Sequence, residues 1–258
     1  MHVVQTITAI HDRYLSASPA RETAAEVYHW SRAASLFNQK LSTLSMPLQP
    51  PDRDALWATA ALLSVIAFSM INASTPEEAW PLNGHSDLEW LRMCGGKNII
   101  WKIAGPLRYN SVFHTVVDEL RAMVNPTSCG IEGLPSPFIK LYDLGDSSTA
   151  ENNPYHTAVH SLAPLLHIEC SQATTPRFFS FISHIKPEFR MLLERKDSRA
   201  LLLLAYWYAK ICHSQWWIAR RALLECQSIC LYLERHYAGE TAIQDLLLIP
   251  KIQCELVP

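Results

Sequence analysis

The sequence predicts an all-α fold built around one apolar helix at about residues 198–213. The run Ala200–Ala209 contains no charged side chain, and a helix that is apolar on every side is stable in water only when other elements cover it. Asp197 and Ser198 precede the run and can cap its first turn. No two strand-like segments are joined by a turn signal. We therefore expect a single compact helical domain over residues 1–258, with an apolar pocket.

Apolar spacing, together with proline and glycine positions, divides the rest of the chain into helices. Gly95-Gly96 should interrupt one of them or mark a close approach of another backbone, because each glycine costs about 1 kcal/mol inside a helix. Pro164 should kink another, because it lacks the amide that continues the hydrogen-bond ladder. Apart from the central helix, the predicted helices span 2–18, 22–44, 55–72, 88–101, 107–124, 155–170, 176–184, 187–195, 215–237 and 241–248, with one or two helical turns in 135–144.

Composition excludes several classes of partner. Hydrophobic residues make up 49% of the 258, and the formal net charge is −2, so no basic face favours nucleic acid or an anionic membrane. The longest uncharged run, Ala55–Asn72, carries Thr59, Ser64 and Ser69, which favours a buried helix over a membrane span. The seven cysteines are scattered, as is typical of a reducing intracellular compartment.

Three segments, in this order, carry a resemblance to a known family. They are Tyr28–Ser42 (Tyr-His-Trp-Ser-Arg-Ala-Ala-Ser-Leu-Phe-Asn-Gln-Lys-Leu-Ser), Asp87–Arg92, and the run Ala200–Ala209 followed by Trp216-Trp217. Together they resemble the C-terminal regulatory domain of fungal zinc-cluster transcription factors of the sterol-uptake regulator type. The resemblance covers about residues 1–238. It implies an all-helical fold with a hydrophobic pocket, which holds a sterol in the sterol-responsive members.

One departure from that family bears on function. Its members carry an N-terminal zinc cluster with six closely spaced cysteines, whereas the first cysteine here is Cys94 and no basic block is present. We therefore expect no direct nucleic-acid binding by this chain. It is either a fragment of a regulator, which would be nuclear, or a freestanding protein, which would be cytoplasmic.

Two groups of metal-ligand residues favour structural roles. His156, His160 and His167 fall on one helical face, but the His-Glu-x-x-His pattern of zinc proteases is absent and a proline interrupts the spacing. Cys226 and Cys230 lie one helical turn apart on an apolar seam, where reduced cysteine packs as a small hydrophobe. No phosphate loop, dinucleotide fingerprint or nucleophile elbow occurs. We expect no metal and no cofactor.

Aromatic residues are the main functional signal. Eight tryptophans are present, several of them in the most apolar helices. They can simply fill a large core, or they can wall a cavity for a hydrophobic small molecule. The predicted lining residues are Trp57, Trp90, Tyr206, Trp207 and Trp217, and the predicted ligand is a sterol or terpenoid.

Two other functions stay open at this point. A freestanding copy could be a cofactor-free cyclase, pericyclase such as a Diels-Alderase, or isomerase acting on a hydrophobic secondary metabolite, since an apolar pocket can hold a substrate near its reactive conformer. His29, Tyr142, Tyr206 or His213 would then supply a hydrogen bond or a proton. Alternatively, the chain is a regulator that forms a homodimer through an exposed helix seam and binds no ligand.

Overall fold

The computed structural model describes residues 1–16, 22–44, 47–83, 88–116 and 130–257. Within these ranges the chain is helical and contains no β-strand, which confirms the all-α prediction. Short 3-10 helices occur at Pro76–Glu78, Val112–Val116 and Ala163–His167. The α-helices are α1 (His2–Leu15), α2 (Ala24–Ser42), α3 (Pro50–Ser69), α4 (Glu89–Ala104), α5 (Ser136–Leu141), α6 (His156–Leu162), α7 (Thr175–Ser183), α8 (Pro187–Glu194), α9 (Ser198–Ile211), α10 (Trp216–His236) and α11 (Thr241–Gln253).

The chain divides into two compact units. Unit 1 comprises Met1–Asn72 with Glu89–Arg121, and unit 2 comprises Ala73–Leu88 with Ala122–Pro258. Unit 1 holds α1–α4, and unit 2 holds α5–α11. That the whole chain forms a single domain stays a prediction of the sequence.

Unit 1 has its own core where α3 packs along α4. Leu56, Trp57 and Ala60 of α3 meet Ile100 and Ala104 of α4 there, and part-buried side chains of α2 pack against the same cluster. Burial of this apolar surface is the main source of stability for helices that carry little charge.

The start of α2 is fixed by a capping box. The Thr23 hydroxyl accepts a hydrogen bond from the Glu26 amide, and the Glu26 carboxylate accepts one from the Thr23 amide. The same carboxylate also accepts a hydrogen bond from the Arg13 guanidinium on α1, with Arg13 Nε 2.8 Å from Glu26 Oε1. Glu26 is fully buried, so this set of bonds joins α1 to the first turn of α2.

The helix predicted from Leu107 is wrong at its start. The chain instead makes turns up to Ser111 and a 3-10 helix from Val112, and residues 117–124 of the prediction lie outside the described ranges. The cause is Asp54 of α3, whose carboxylate accepts hydrogen bonds from the Ser111 hydroxyl (2.7 Å), the Val112 amide (3.1 Å) and the Arg108 guanidinium (2.5 Å). These bonds hold the segment in turns rather than in a helix.

The break predicted at Gly95-Gly96 is also wrong, because α4 runs through both residues without interruption. The helix buries Trp90, Leu91, Cys94, Ile100 and Ala104. Their burial outweighs the roughly 2 kcal/mol that two glycines cost.

Helix α9 is the core of unit 2, and the structure confirms a central apolar helix at the predicted position. Every residue from Ala200 to Ala209 is buried, and α6, α8, α10 and α11 pack around it. The Asp197 side chain accepts a hydrogen bond from the Ala200 amide (2.9 Å), as expected of an N-cap.

Three consecutive residues of α9 send their polar tips to three different helices. The Tyr206 hydroxyl donates to Leu246 O in α11 (2.7 Å), and Trp207 Nε1 donates to Phe178 O in α7 (2.8 Å). The Tyr208 hydroxyl donates to the Glu225 carboxylate in α10. Burial of these aromatic rings therefore leaves no unsatisfied tip.

The two prolines inside helical segments act differently. The segment that was predicted as one helix kinked at Pro164 instead changes from the α-helix α6 to a 3-10 helix, which begins at Ala163 and contains Pro164. By contrast, α11 continues past Pro250, beyond the end predicted at residue 248. Pro250 cannot donate to Leu246 O, and the Tyr206 hydroxyl takes that place.

No helix in the described ranges is both long enough and apolar enough to cross a membrane.

Candidate ligand-binding cleft

Unit 1 contains an open apolar cleft of about 600 Å³ between α2, α3 and α4, hereafter the cleft. Its volume lies within the range of small-molecule sites, about 300–1,000 Å³. The apolar wall consists of Trp30, Ala34, Phe37 and Leu41 from α2, Leu44 after it, Ala60 and Leu63 from α3, and Met93, Ile99, Ile100 and Ile103 from α4.

Small residues create the open space. Gly96 lines the cleft on α4, and a Cβ atom added there would meet no heavy atom within 4 Å. Ala34 and Ala60 line it on the facing helices. The helices therefore meet at the core beneath the cleft without closing its mouth. Ile99 remains 64% exposed, so this part of the wall presents apolar surface to solvent.

Three polar residues belong to the described cleft wall, namely Asn38, Ser64 and Lys97. The Ser64 hydroxyl already donates to Ala60 O at 2.9 Å. Lys97 Nζ lies 5.9 Å from the centroid of the Trp57 ring, which is a cation–π distance. The cleft wall in the described residues contains no carboxylate, so Lys97 is its one formal charge.

A second cavity of unit 1 is a weaker candidate. It occupies about 290 Å³ between α1, α2 and α3, at the lower limit for a ligand site. His2, Lys40, Asp52 and Thr59 belong to its wall, so an apolar ligand would have to desolvate several polar groups there.

Two of the predicted lining residues lie in the core of unit 1. Trp57 is 6% exposed and packs edge-on against Trp101, with ring centroids 4.9 Å apart. It belongs to the same core cluster as Ala60 and Ile100 and so supports the cleft from behind. Trp90 is 1% exposed and packs edge-on against Phe68.

The other three predicted lining residues lie in unit 2. Tyr206 and Trp207 are buried in α9 with their polar tips bonded as described above. Trp217 of α10 is half-buried, stacks on Phe179 with ring centroids 5.3 Å apart, and donates its Nε1–H to the Gln215 side chain. These three residues belong to a different unit from Trp57 and Trp90, and none of the five belongs to the wall of the cleft.

The four candidate catalytic groups are all engaged with protein atoms. The Tyr142 hydroxyl donates to Arg199 O (3.0 Å), and burial holds the pKa of Tyr142 well above its usual range. Burial likewise raises the pKa of Tyr206. His213 Nε2 lies 2.7 Å from Gln253 O on an exposed side chain. His29 Nδ1 lies 2.9 Å from the Nδ1 of His2. None of the four lines the cleft.

The histidine face is only partly realised. The rings of His156 and His160 are in contact at a tilt of 42°, with centroids 4.3 Å apart, and burial lowers the pKa of both. His167 belongs to the 3-10 helix that contains Pro164, so the common α-helical face ends before it. Among the described residues these histidines form no three-ligand metal set.

The cleft was not predicted from the sequence, because the predicted lining residues were aromatic residues in or beside the most apolar helices. Part of the wall comes from α2 and α4, which are less apolar than the segment Ala200–Ala209. The available signal in the sequence was Trp30 and Phe37, seven residues apart and therefore on one face of α2, and Ile99, which follows Gly96 by one helical turn.

Comparisons with protein-family models, with curated proteins and with solved structures found no match.

Proposed function

We propose that this protein binds a hydrophobic small molecule, of sterol or terpenoid size, in the cleft of unit 1. The observation that carries the proposal is the cleft itself, an apolar space of about 600 Å³ that no described side chain of unit 1 fills. Its glycine and alanine residues keep it open, and its exposed isoleucine would be covered by a bound ligand.

The energetics are sufficient for a specific ligand. If ligand and protein together remove about 600 Å² of apolar surface from water, burial contributes roughly 15 kcal/mol. Association costs of about 7 kcal/mol leave roughly 8 kcal/mol, which corresponds to a micromolar dissociation constant.

Electrostatics narrow the ligand class. Lys97 is the one charged residue of the described cleft wall, and an ammonium group in an apolar setting favours an oxygen acceptor or a carboxylate nearby. A cationic ligand would be repelled at the same distance. We therefore expect neutral or acidic ligands rather than amines.

The resemblance to regulatory domains of the sterol-uptake type supports the choice of sterols and terpenoids, and descent from such a regulator remains part of the proposal. The enzyme hypothesis stays a prediction of the sequence. None of its four candidate residues lies in the cleft wall, so no described contact favours it over binding.

The test uses the full chain and two probes, the fluorescent sterol dehydroergosterol and the terpenoid farnesoic acid. Gly96→Phe should fill the cleft and weaken binding at least about tenfold, since the lost contact area is worth more than 1.4 kcal/mol. Gly96→Ala is the matched control, because both substitutions replace glycine by a better helix former. We expect its affinity to stay within about twofold of the parent.

A second variant separates charge from shape. Lys97→Met should weaken the affinity for farnesoic acid several-fold and leave the affinity for dehydroergosterol nearly unchanged, because only the acid loses an ion partner. The proposal is wrong if neither probe binds, or if Gly96→Phe binds both as tightly as Gly96→Ala does.

A further inference from the structure

Three buried cysteines of unit 2 bring their sulfur atoms together, although one of them is distant in sequence. Cys226 and Cys230 lie one turn apart on α10, and Cys254 lies in the turn that follows α11. Their sulfur atoms all lie within 4.8 Å of one another. All three residues are fully buried and none forms a disulfide.

Backbone and side-chain bonds hold the third cysteine in place. The Cys254 amide donates to Pro250 O at 2.9 Å, and the Gln227 side-chain amide of α10 donates to Cys254 O at 2.7 Å. The position of the Cys254 sulfur is therefore set by the packing of α11 on α10. Packing alone explained the first two cysteines, but it does not require a third sulfur to face both of them.

The geometry fits a metal ion bound by three sulfur atoms. Because no two sulfurs are more than 4.8 Å apart, a central point lies at most about 2.8 Å from each, against about 2.3 Å for a zinc–thiolate bond. A contraction of about half an ångström per ligand closes that gap. We propose that Cys226, Cys230 and Cys254 bind one thiophilic d10 metal ion, of the Cu⁺ or Zn²⁺ type, as a closed three-thiolate site.

Metal binding changes the protonation of the cluster. A thiol must lose its proton to ligate a metal ion, so binding releases thiol protons to solvent and depends on pH. The charge of the ion offsets the negative charge that the thiolates would otherwise bring into the protein interior.

Ligand number favours Cu⁺ over Zn²⁺. Structural zinc sites are almost always four-coordinate, and no fourth histidine, cysteine or carboxylate joins this group in the described ranges. Soft thiolate ligands select Cu⁺ as well as Zn²⁺. We therefore expect both ions to bind and Cu⁺ to bind more tightly.

The test titrates the reduced, metal-free full chain with Cu⁺ and, in parallel, with Zn²⁺. Each titration is run anaerobically in competition with a chromophoric chelator. We expect one Cu⁺ per chain, three copper–sulfur contacts by X-ray absorption, and a rise in Tm on binding. Cys254→Ser should weaken binding at least about 100-fold, because it removes a ligand outright.

Two further variants keep the result interpretable. Cys170→Ser is the matched control, since Cys170 belongs to the same unit and its sulfur bonds to Thr175 outside the cluster; its affinity should not change. Cys230→Ala removes a different ligand and should reproduce the loss if Cys254→Ser fails to fold. The proposed site is wrong if neither ion binds at one per chain, or if the parent and Cys254→Ser bind the ions with equal affinity. Tighter binding of Zn²⁺ than of Cu⁺ would overturn the three-coordinate assignment.

Discussion

Replacing Arg221 by methionine should destabilise unit 2 more than any surface change. Arg221 is 2% exposed and Glu225, four residues on along α10, is fully buried. The guanidinium donates to the Glu225 carboxylate, which also accepts the Tyr208 hydroxyl of α9. Arg221→Met keeps most of the side-chain volume and removes the positive charge that faces a carboxylate inside the protein.

The magnitude follows from the burial of both partners. Removing one partner of a buried ion pair costs about 3–5 kcal/mol, because the remaining charge loses its compensation. At about 2–4 °C per kcal/mol for a chain of this size, Tm should fall by roughly 6–20 °C. The double variant Arg221→Met with Glu225→Leu removes both charges and should recover much of the loss, since an apolar pair of similar volume is often neutral.

The assay is urea unfolding of the parent, the two single variants and the double variant, followed by circular dichroism. We expect a coupling free energy of at least about 2 kcal/mol between the two positions. The control is Arg199→Met, which removes an exposed ion pair with Asp143 and should cost less than about 1 kcal/mol. The reasoning fails if Arg221→Met costs no more than that control, or if the double variant costs the sum of the single ones.

Three smaller predictions concern other anchor points. Burial alone would raise the pKa of Asp54, but its hydrogen bonds and the charge of Arg108 outweigh that effect and lower it. The stability that Asp54 contributes is therefore present above its unfolded pKa of about 3.9 and is lost as the pH falls toward the lower folded value, so Asp54→Asn should flatten the acid limb of a stability–pH curve. Tyr206→Phe should lower the free energy of unfolding in urea by about 1–3 kcal/mol, because Leu246 O then loses the hydroxyl donor that takes the place of the amide missing at Pro250. Thr23→Ala should cost about 1 kcal/mol through loss of the α2 cap; no change in unfolding midpoint would contradict either of the last two.

The sequence predicted the helical class and the central helix because both depend on patterns along the chain. Ala200–Ala209 has no charged side chain, and only burial on all sides suits such an apolar segment. The cap at Asp197 is likewise a local effect.

The errors came from contacts between distant residues. No local pattern shows that Asp54 binds the Ser111–Val112 turn, and so the helix start at Leu107 was wrong. The break at Gly95-Gly96 failed for the same reason, because packing of α4 on α3 exceeds the local cost of glycine.

The candidate site depended even more on such contacts. Trp57 was chosen for its size and apolar setting, yet it lies behind the cleft, in the core that the wall is built on. The three cysteines show the same limit. Cys226 and Cys230 are visible as a helical pair, whereas the approach of Cys254 follows from how two helices pack.

The three polar tips of α9 determine more than hydrogen-bond satisfaction. An apolar cylinder can rotate or slide among apolar neighbours with little change in buried area, and several registers then have similar energies. The bonds from Tyr206, Trp207 and Tyr208 to three separate helices are met together in one rotation and one axial position. Three hydrogen-bond donors thereby select one arrangement of the helices around α9, while burial of the surrounding apolar side chains supplies most of the free energy of folding.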